Sequence, residues 1–300
     1  MSNYFVEPEQ EGLRLDVFLS QMEEHTSRSS LQKHIKDGHA KVNGENIKPS
    51  YTVCAGDEIV YNSPEPVGVS IVAEDIPLDI LYEDEDLLVV NKPKGMVVHP
   101  APGHFSGTLV NAVMFHCKDS LSGINGELRP GIVHRIDRDT TGSLIVCKND
   151  IAHNHIAEQI KEHSVNRIYR GIVVGTVSDE EGTIHAPIGR HPIDRKKMSI
   201  NERNGKDAIT HYRVLKRFDK YTYMEFKLET GRTHQIRVHM ASIGHPLLGD
   251  EVYGAKKCPF HLKGQTLHAA IIGFIHPTTG DYIEVEAPLP EYFQHLLHIL

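Results

Sequence analysis

Residues 131–142 read GIVHRIDRDTTG, and they place the carboxylate of Asp137 between two arginines and shortly before a Thr-Thr-Gly turn. Apolar runs border this charged segment, at residues 132–133 and 144–146. Because folding does not require charges this dense between two apolar runs, the pattern favours a strand end or a turn that carries a functional carboxylate. Asp139 is an equal candidate at this point, since residues two positions apart on a strand share a face.

A second informative stretch, residues 228–240, reads LETGRTHQIRVHM. It predicts the end of a strand, a glycine turn and a helix over residues 233–243. The helix N-terminus together with Arg232 and Arg237 favours an anionic group at this place. The alternative is a capped helix with two surface arginines.

The region downstream of about residue 78 alternates strands and helices without the rhythm of a dinucleotide-binding βαβ unit. Strands are predicted at residues 87–90, 143–147, 169–174 and 221–228, and helices at residues 108–115 and 150–160, the latter capped by Asp150. The predicted fold class is α+β, with a mixed, largely antiparallel sheet that helices flank.

The N-terminal region predicts a separate small α/β unit. A short helix over residues 14–22 is followed by a second helix that Ser27 caps and Gly38 ends. Asn43-Gly44 is a strong signal for a two-residue hairpin, and a last strand follows at residues 56–61. We therefore expect three parts, a small domain at 13–62, an acidic linker at 63–77 and a large domain at 78–300.

Composition limits the classes of protein. The 300 residues carry a net charge of −8, but residues 184–240 have a local balance of +7 and residues 26–50 one of +3. Local basic patches bind phosphate whatever the net charge, so RNA is a reasonable partner. No apolar run approaches 18 residues, the N-terminus is polar and acidic, and the four cysteines are scattered, which predicts a cytoplasmic protein with reduced thiols and no membrane span.

These motifs closely resemble those of the RluA/RluD family of pseudouridine synthases. The segment HRIDRDTTG stands where that family reads His-Arg-Leu-Asp-x-x-Thr-Ser/Thr-Gly, with Ile136 as an apolar replacement for leucine. A strand with Ile168-Tyr169-Arg170-Gly171 and the 228–240 stretch follow in the family's order. The resemblance covers residues 13–61 and about 80–290, and the small domain plus the large one is similar to the RluD branch.

The resemblance implies roles for four residues. Asp137 is the catalytic carboxylate that, as nucleophile or as base, lets the uracil detach from the ribose and rejoin through carbon. Arg237 is its partner. Arg135 fills the place of the flipped uridine in the RNA stack, or else forms a structural salt bridge. Tyr169 stacks on the uracil and handles a proton, or else is a core aromatic of its strand.

The small domain resembles the RNA-binding domain first seen in ribosomal small-subunit protein four. In such domains the second helix and the hairpin face the RNA. The resemblance implies phosphate contacts from basic residues of this region, namely Arg28, Lys33, Lys36, Lys41 and Lys48. The alternative is a generic mini-domain whose lysines lie on its solvated side.

The resemblance implies no cofactor and no metal, and the histidine spacing agrees, because His234 and His239 are five residues apart and no His-Glu-x-x-His occurs. The expected substrate is 23S ribosomal RNA, with another rRNA site or a tRNA as alternatives, and the expected state is a monomer. Rival functions are a non-catalytic RNA-binding factor for ribosome assembly, an rRNA methyltransferase, which would need a Gly-rich loop, and a glycoside hydrolase with paired carboxylates.

Overall fold

The computed structural model describes residues 2–23, 26–64, 71–100, 104–118, 120–124, 130–194, 197–255, 258 and 260–300. The chain divides into two compact units, Met1–Val69 and Ser70–Leu300. The expected linker at 63–77 lies partly outside the described residues. None of the helices in the described part of the chain has both the length and the apolar character that crossing a bilayer requires.

The first unit packs two helices on a small antiparallel sheet. Its elements are β1 (Ser2–Phe5), α1 (Leu15–Met22), α2 (Arg28–Lys36), β2 (Ala40–Val42), β3 (Glu45–Asn46) and β4 (Glu58–Tyr61), with strand order β1-β4-β2-β3. The Ser27 hydroxyl accepts a hydrogen bond from the Ser30 amide, which confirms the predicted cap of α2. Asn43 and Gly44 both have positive φ between β2 and β3, as the predicted hairpin requires. The unit begins upstream of Leu13, because β1 pairs with β4.

The second unit contains one large sheet and its covering helices. Its elements are β5 (Ile80–Glu83), β6 (Leu87–Lys92), α3 (Leu109–Cys117), β7 (Thr141–Cys147), α4 (Asp150–Lys161), β8 (Asn166–Val174), β9 (Glu181–His185), β10 (Ile188–Arg190), β11 (Met198–Ile200), β12 (Ile209–Arg217), β13 (Tyr221–Leu228), α5 (Gln235–Ser242), β14 (Leu267–Ile275), β15 (Tyr282–Glu286) and α6 (Glu291–Ile299).

The large sheet has the strand order β5-β6-β7-β14-β8-β13-β12-β9, and β15 pairs with β14. Only β7 and β14 run parallel among these described pairs, so the expectation of a mixed, largely antiparallel sheet with flanking helices is confirmed. Every residue of β7 is buried, which matches its apolar sequence and its central place in the sheet.

Helices cover both faces of this sheet. On one face, α3 and α5 pack against alternate strand residues such as Val90, Leu144 and Phe226. On the other face, α4 packs Ala152 and Ile156 against strand residues that point the opposite way. Successive side chains of β6 and β7 therefore belong in turn to two separate apolar cores, one on each face of the sheet.

Two helix starts differ from the prediction. Asn149, not Asp150, caps α4, because its side chain accepts from the Ala152 amide. The helix expected over 233–243 begins at Gln235, and His234 before it has a left-handed backbone with φ 58°. The turn that begins at Gly231 thus extends to His234, and α5 starts two residues later than the sequence predicted.

Candidate active site

The segment around Asp137 is a turn rather than a strand. The Thr140 amide donates to the Asp137 carbonyl at 3.1 Å, and β7 begins only at Thr141. The idea that Asp137 and Asp139 share a strand face is therefore wrong. Asp139 accepts two hydrogen bonds from Arg138 and lies against Gly264, whereas Asp137 faces a cavity.

A buried lysine fastens this turn. Nζ of Lys92 donates to the carbonyls of Pro93, Met96 and Arg138, each at 2.9 Å, and the Gly95 amide also donates to the Arg138 carbonyl. Burial lowers the pKa of Lys92 to about 7, against the opposing charges of Asp139 and Asp137. The segment 91–95 thus holds the backbone one residue after Asp137.

The Thr-Thr-Gly sequence has a structural explanation. The Thr140 hydroxyl accepts from the Gln265 side chain, and Thr141 bonds to Nδ1 of His268. Gly142 has φ 107°, and a Cβ there would lie 2.2 Å from the Ala269 carbonyl oxygen. Only glycine allows β7 and β14 to approach this closely, so these residues join the Asp137 turn to the centre of the sheet.

The cavity has a volume of about 500 Å³, and the strands β8 and β13, the start of α5 and the Asp137 turn enclose it. Asp137 is the single carboxylate among the described residues that line it. The cationic side chains that line it are Arg135, Lys161, Arg167, Arg232 and Arg237. One carboxylate in a ring of cations suits a polyanionic substrate that must meet a negatively charged reactive group.

Arg237 is held in place for Asp137. Its Nε and Nη2 form a bidentate ion pair with Asp250 at 2.7 and 2.9 Å, and its Nη1 donates to Asp137 Oδ2 at 2.9 Å. Burial opposes the charge of Arg237, but the hydrogen bonds and charges of Asp250 and Asp137 raise its pKa. The Tyr253 ring covers the guanidinium at 5.1 Å. Arg237 therefore stays positively charged, and its Nη1 donates to Asp137 while Asp250 holds the other side of the guanidinium.

Tyr169 and Arg167 point from β8 into the cavity. They are two residues apart on one strand face, and both are buried. Burial raises the pKa of Tyr169, the Arg167 charge opposes this, and the Asp137 charge adds to it. The phenol is therefore neutral at physiological pH. Tyr169 also packs in the apolar core, as the structural interpretation of this residue predicts. Its stacking on the uracil stays a prediction.

His234 completes the wall beside Asp137. The Tyr253 hydroxyl accepts from the Met198 amide and shares a hydrogen bond of 2.8 Å with Nδ1 of His234. The other ring nitrogen of His234, Nε2, lies 3.8 Å from Asp137 Oδ1. Burial lowers the pKa of His234, with Asp137 opposing.

Arg135 is exposed at the mouth of the cavity, and no described carboxylate forms a salt bridge with it, which sets aside the structural ion pair considered for it. The four residues predicted for the catalytic site, Asp137, Arg135, Tyr169 and Arg237, thus line one cavity. Sequence reasoning missed Arg167 and the buried Asp250. Arg167 could have been found from the strand period, because it lies two residues before Tyr169.

Comparisons with known proteins agree with this geometry. The family model described as RNA pseudouridylate synthase matches residues 86–242, which include Asp137, Arg135, Arg167, Tyr169 and Arg237. An RNA pseudouridine synthase of Bacillus subtilis (strain 168) is 53% identical over 97% of this chain and 95% of its own length. The chain belongs to the RNA pseudouridylate synthase family.

Other relatives extend the likeness. A protein of Zymomonas mobilis named ribosomal large subunit pseudouridine synthase D is 46% identical and covers 96% of this chain and 94% of its own. The solved structure of human RNA pseudouridylate synthase domain containing 1 has a TM-score of 0.58 and 26% identity, and covers 79% of this chain and 97% of the human one. As a member of the pseudouridylate synthase family, the chain is neither a methyltransferase nor a glycoside hydrolase.

The small unit of this pseudouridylate synthase matches an S4 domain at residues 13–59. Of the cations expected to bind RNA, Lys33, Lys36, Lys41 and Lys48 are exposed. Arg28 is exposed too, but its guanidinium is bound to the buried Asp16 at 3.0 Å. Arg14 and Gln32 bind the same carboxylate, and although burial opposes them, these partners lower the pKa of Asp16 to about 2.

One cluster outside the cavity has donors suitable for a metal, Asp84, Asp86 and His276. Its hydrogen bonds are already complete, however. Nδ1 of His276 accepts from the Thr278 and Thr279 amides, so its Nε2 carries a proton and donates to Asp84 at 2.8 Å. Asp86 accepts from Asn149. The cluster therefore joins β5, α4 and the β14–β15 hairpin.

Proposed function

We propose that this pseudouridine synthase acts on uridines of 23S, large-subunit ribosomal RNA and that Asp137 carries the chemistry. The names of the relatives from Zymomonas mobilis and Pseudomonas aeruginosa support this substrate, at 46% and 45% identity over 96% of the chain. The S4 domain and its exposed lysines support an RNA of this class. An RNA-modifying role also favours the cytoplasm.

One observation carries the proposed role of Asp137, its position as the carboxylate of a cavity that cations surround, with one oxygen bound to Arg237. The bound oxygen orients the carboxylate and leaves Oδ1 open toward the cavity. From there it either attacks C1′ of the target ribose or removes the 2′ proton. In both routes the bond from C1′ to N1 breaks, the base turns, and C5 bonds to C1′.

The neighbouring side chains have supporting roles in this proposal. Arg135, exposed at the mouth, takes the stack position that the flipped uridine leaves and offsets part of the unstacking free energy. Tyr169, buried and neutral, packs its ring on the uracil. Arg237 keeps Asp137 oriented. Lys161 and Arg232, which are more exposed, attract the phosphates that flank the target.

The test pairs two substitutions that differ in position and not in chemistry. Asp137→Asn should abolish pseudouridine formation in unmodified large-subunit rRNA while RNA affinity stays within about threefold, because phosphate contacts supply most of the affinity. Asp139→Asn, whose carboxylate lies against Gly264, should keep most activity. Full activity of Asp137→Asn would refute the assignment of Asp137.

The substrate is tested by chemical mapping of pseudouridines in a deletion strain. Signals that disappear from 23S rRNA, and return with the wild-type gene but not with Asp137→Asn, are the expected result. If signals disappear only from tRNA or small-subunit rRNA, the proposed substrate is wrong, but the proposed pseudouridine chemistry stands. An unchanged map of all RNAs would contradict the proposed function.

A further inference from the structure

Arg167 is a buried cation without a carboxylate partner among the described residues. Only 6% of its surface is exposed. Its Nη2 donates to the Glu229 carbonyl at 2.9 Å, and its Nε has no hydrogen-bond partner. Burial lowers its pKa, and the only group that opposes this is the phenol of Tyr169. A buried charge is costly unless it is paired, so this arrangement calls for a partner that the described residues do not supply.

The surroundings of Arg167 indicate where that partner lies. The side chain lines the same cavity as Asp137 and shares a strand face with Tyr169. Its Nη1 lies against Gly231, so close that a Cβ on Gly231 would come within 2.7 Å of it. The buried guanidinium therefore lies deeper in the cavity than the exposed Arg135, and a flipped base that stacked on Tyr169 would lie beside it.

The reaction produces an anion at this depth. When the bond between C1′ and N1 breaks, its electron pair remains on the uracil, and the negative charge spreads over N1 and the two carbonyl oxygens. The charge is lost when C5 forms its bond to C1′; C5 then loses its proton and N1 gains one, which gives neutral pseudouridine. Donors that are fixed before the reaction and meet charge only as it develops lower the barrier.

We propose that Arg167 is a further catalytic residue, whose guanidinium donates hydrogen bonds to a carbonyl oxygen of the target uracil and stabilises the negative charge on the detached base. This inference rests on the proposed function of Asp137. It explains why β8 carries a buried cation that none of the described carboxylates neutralises.

The first experiment measures single-turnover pseudouridine formation on unmodified large-subunit rRNA. Arg167→Gln should slow this step about 100-fold, the usual effect of losing one oxyanion donor, with RNA affinity within about threefold. Arg170→Gln is the matched control, because Arg170 is on the same strand and pairs with Glu286 at 3.0 Å. An unchanged rate in folded Arg167→Gln, with an active wild type, would overturn this inference and leave the proposed function intact.

A second variant moves the guanidinium and keeps its charge. Gly231→Ala should slow the chemical step about tenfold, because the new methyl group would displace Nη1. In the Arg167→Gln background the same change should have no further effect, since its target is gone. Equal effects of Gly231→Ala in both backgrounds would show that it acts elsewhere and would contradict the proposal.

A third measurement separates charge stabilisation from other roles. RNA with 5-fluorouridine at the target carries a base that leaves more readily, because fluorine withdraws electrons. Mass spectrometry measures the rate at which the target 5-fluorouridine is converted. Arg167→Gln should slow this conversion less than it slows the conversion of uridine in ordinary RNA. Equal sensitivity would indicate a structural role. If Arg167→Gln instead weakens RNA binding and reduces the dependence of log Kd on log salt by about one, Arg167 contacts a phosphate. Either result would overturn the inference.

Discussion

Arg237 donates to the carboxylate of Asp137 at 2.9 Å although 100 positions separate the two residues in the chain. The contact depends on Asp250, which binds the other side of the guanidinium through two oxygens and is fully buried. Two carboxylates on one arginine give it a single orientation. The geometry around Asp137 is therefore a property of three segments, the turn before β7, α5 and the loop after it.

Removal of Asp250 should destabilise the large unit. In Asp250→Ala the buried guanidinium of Arg237 keeps only Asp137 as a carboxylate partner. Loss of one partner of a buried ion pair lowers the free energy of unfolding by about 3–5 kcal/mol. Arg213→Ala is the control, because its salt bridge with Glu225 is largely exposed on the Arg213 side and should be worth about 1 kcal/mol or less. Denaturant unfolding measures both, and equal losses would show that Arg237 does not need Asp250.

Loss of the Lys92 ammonium should loosen the Asp137 turn. Lys92→Met leaves three buried carbonyls without their donor, including that of Arg138. We expect the single-turnover rate to fall at least about tenfold, because small displacements of a reacting group cost that much or more. Lys94→Met should change the rate little, since its Nζ makes longer contacts of 3.3 and 3.4 Å. RNA affinity should not change in either variant, and a loss of affinity in Lys92→Met would speak against a positioning role.

The stability of the fold should fall in acid partly through His134. Its Nε2 accepts from the Ile145 amide at 2.9 Å, and burial, with the Arg167 charge adding to it, lowers its pKa to about 3. Between that value and the ordinary value near 6.5, the unfolded chain binds a proton and the native chain does not. Stability is therefore present above about pH 6.5 and is lost as the pH falls, by up to about 1.4 kcal/mol per pH unit.

His134→Gln tests this assignment, because the glutamine oxygen can accept from the same amide but does not titrate. Between pH 6 and pH 4 the free energy of unfolding should depend less steeply on pH than in the wild type. The difference should correspond to at most one proton fewer taken up on unfolding. His295→Gln, at an exposed position on α6, should leave the slope unchanged. Identical slopes for wild type and His134→Gln would mean that His134 already titrates normally in the native state.

The exposed lysines of the S4 domain should contribute affinity without chemistry. Replacing Lys33, Lys36 and Lys41 by Gln should weaken RNA binding and reduce the dependence of log Kd on log salt by roughly 0.7–0.9 for each phosphate that a lysine no longer neutralises. The single-turnover rate at saturating enzyme should not change. Lys227→Gln, exposed on β13, is the control for a general loss of charge. An unchanged salt slope in the triple variant would place the RNA elsewhere.

Much of the fold could be predicted because local rules agree with it. The alternation of Thr222, Met224, Phe226 and Leu228 is matched by the buried face of β13. Ser27 and the Asn43-Gly44 hairpin act within a few residues, so propensity alone identifies them. The start of α5 was misplaced because His234 adopts a left-handed backbone that its neighbours in space, Tyr253 and Asp137, accommodate.

The family motifs and the types of the predicted helices and strands could be read from the sequence, because helix and strand periods and turn chemistry are local properties. The family motif singled out Asp137 and Arg237, but only the tertiary structure shows that Asp137 faces the cavity while Asp139 lies against Gly264. It alone shows that Asp250 holds Arg237 and that no described carboxylate pairs with Arg167. Such relationships depend on distant segments meeting in a buried cavity, where the free energy of an unpaired charge is largest.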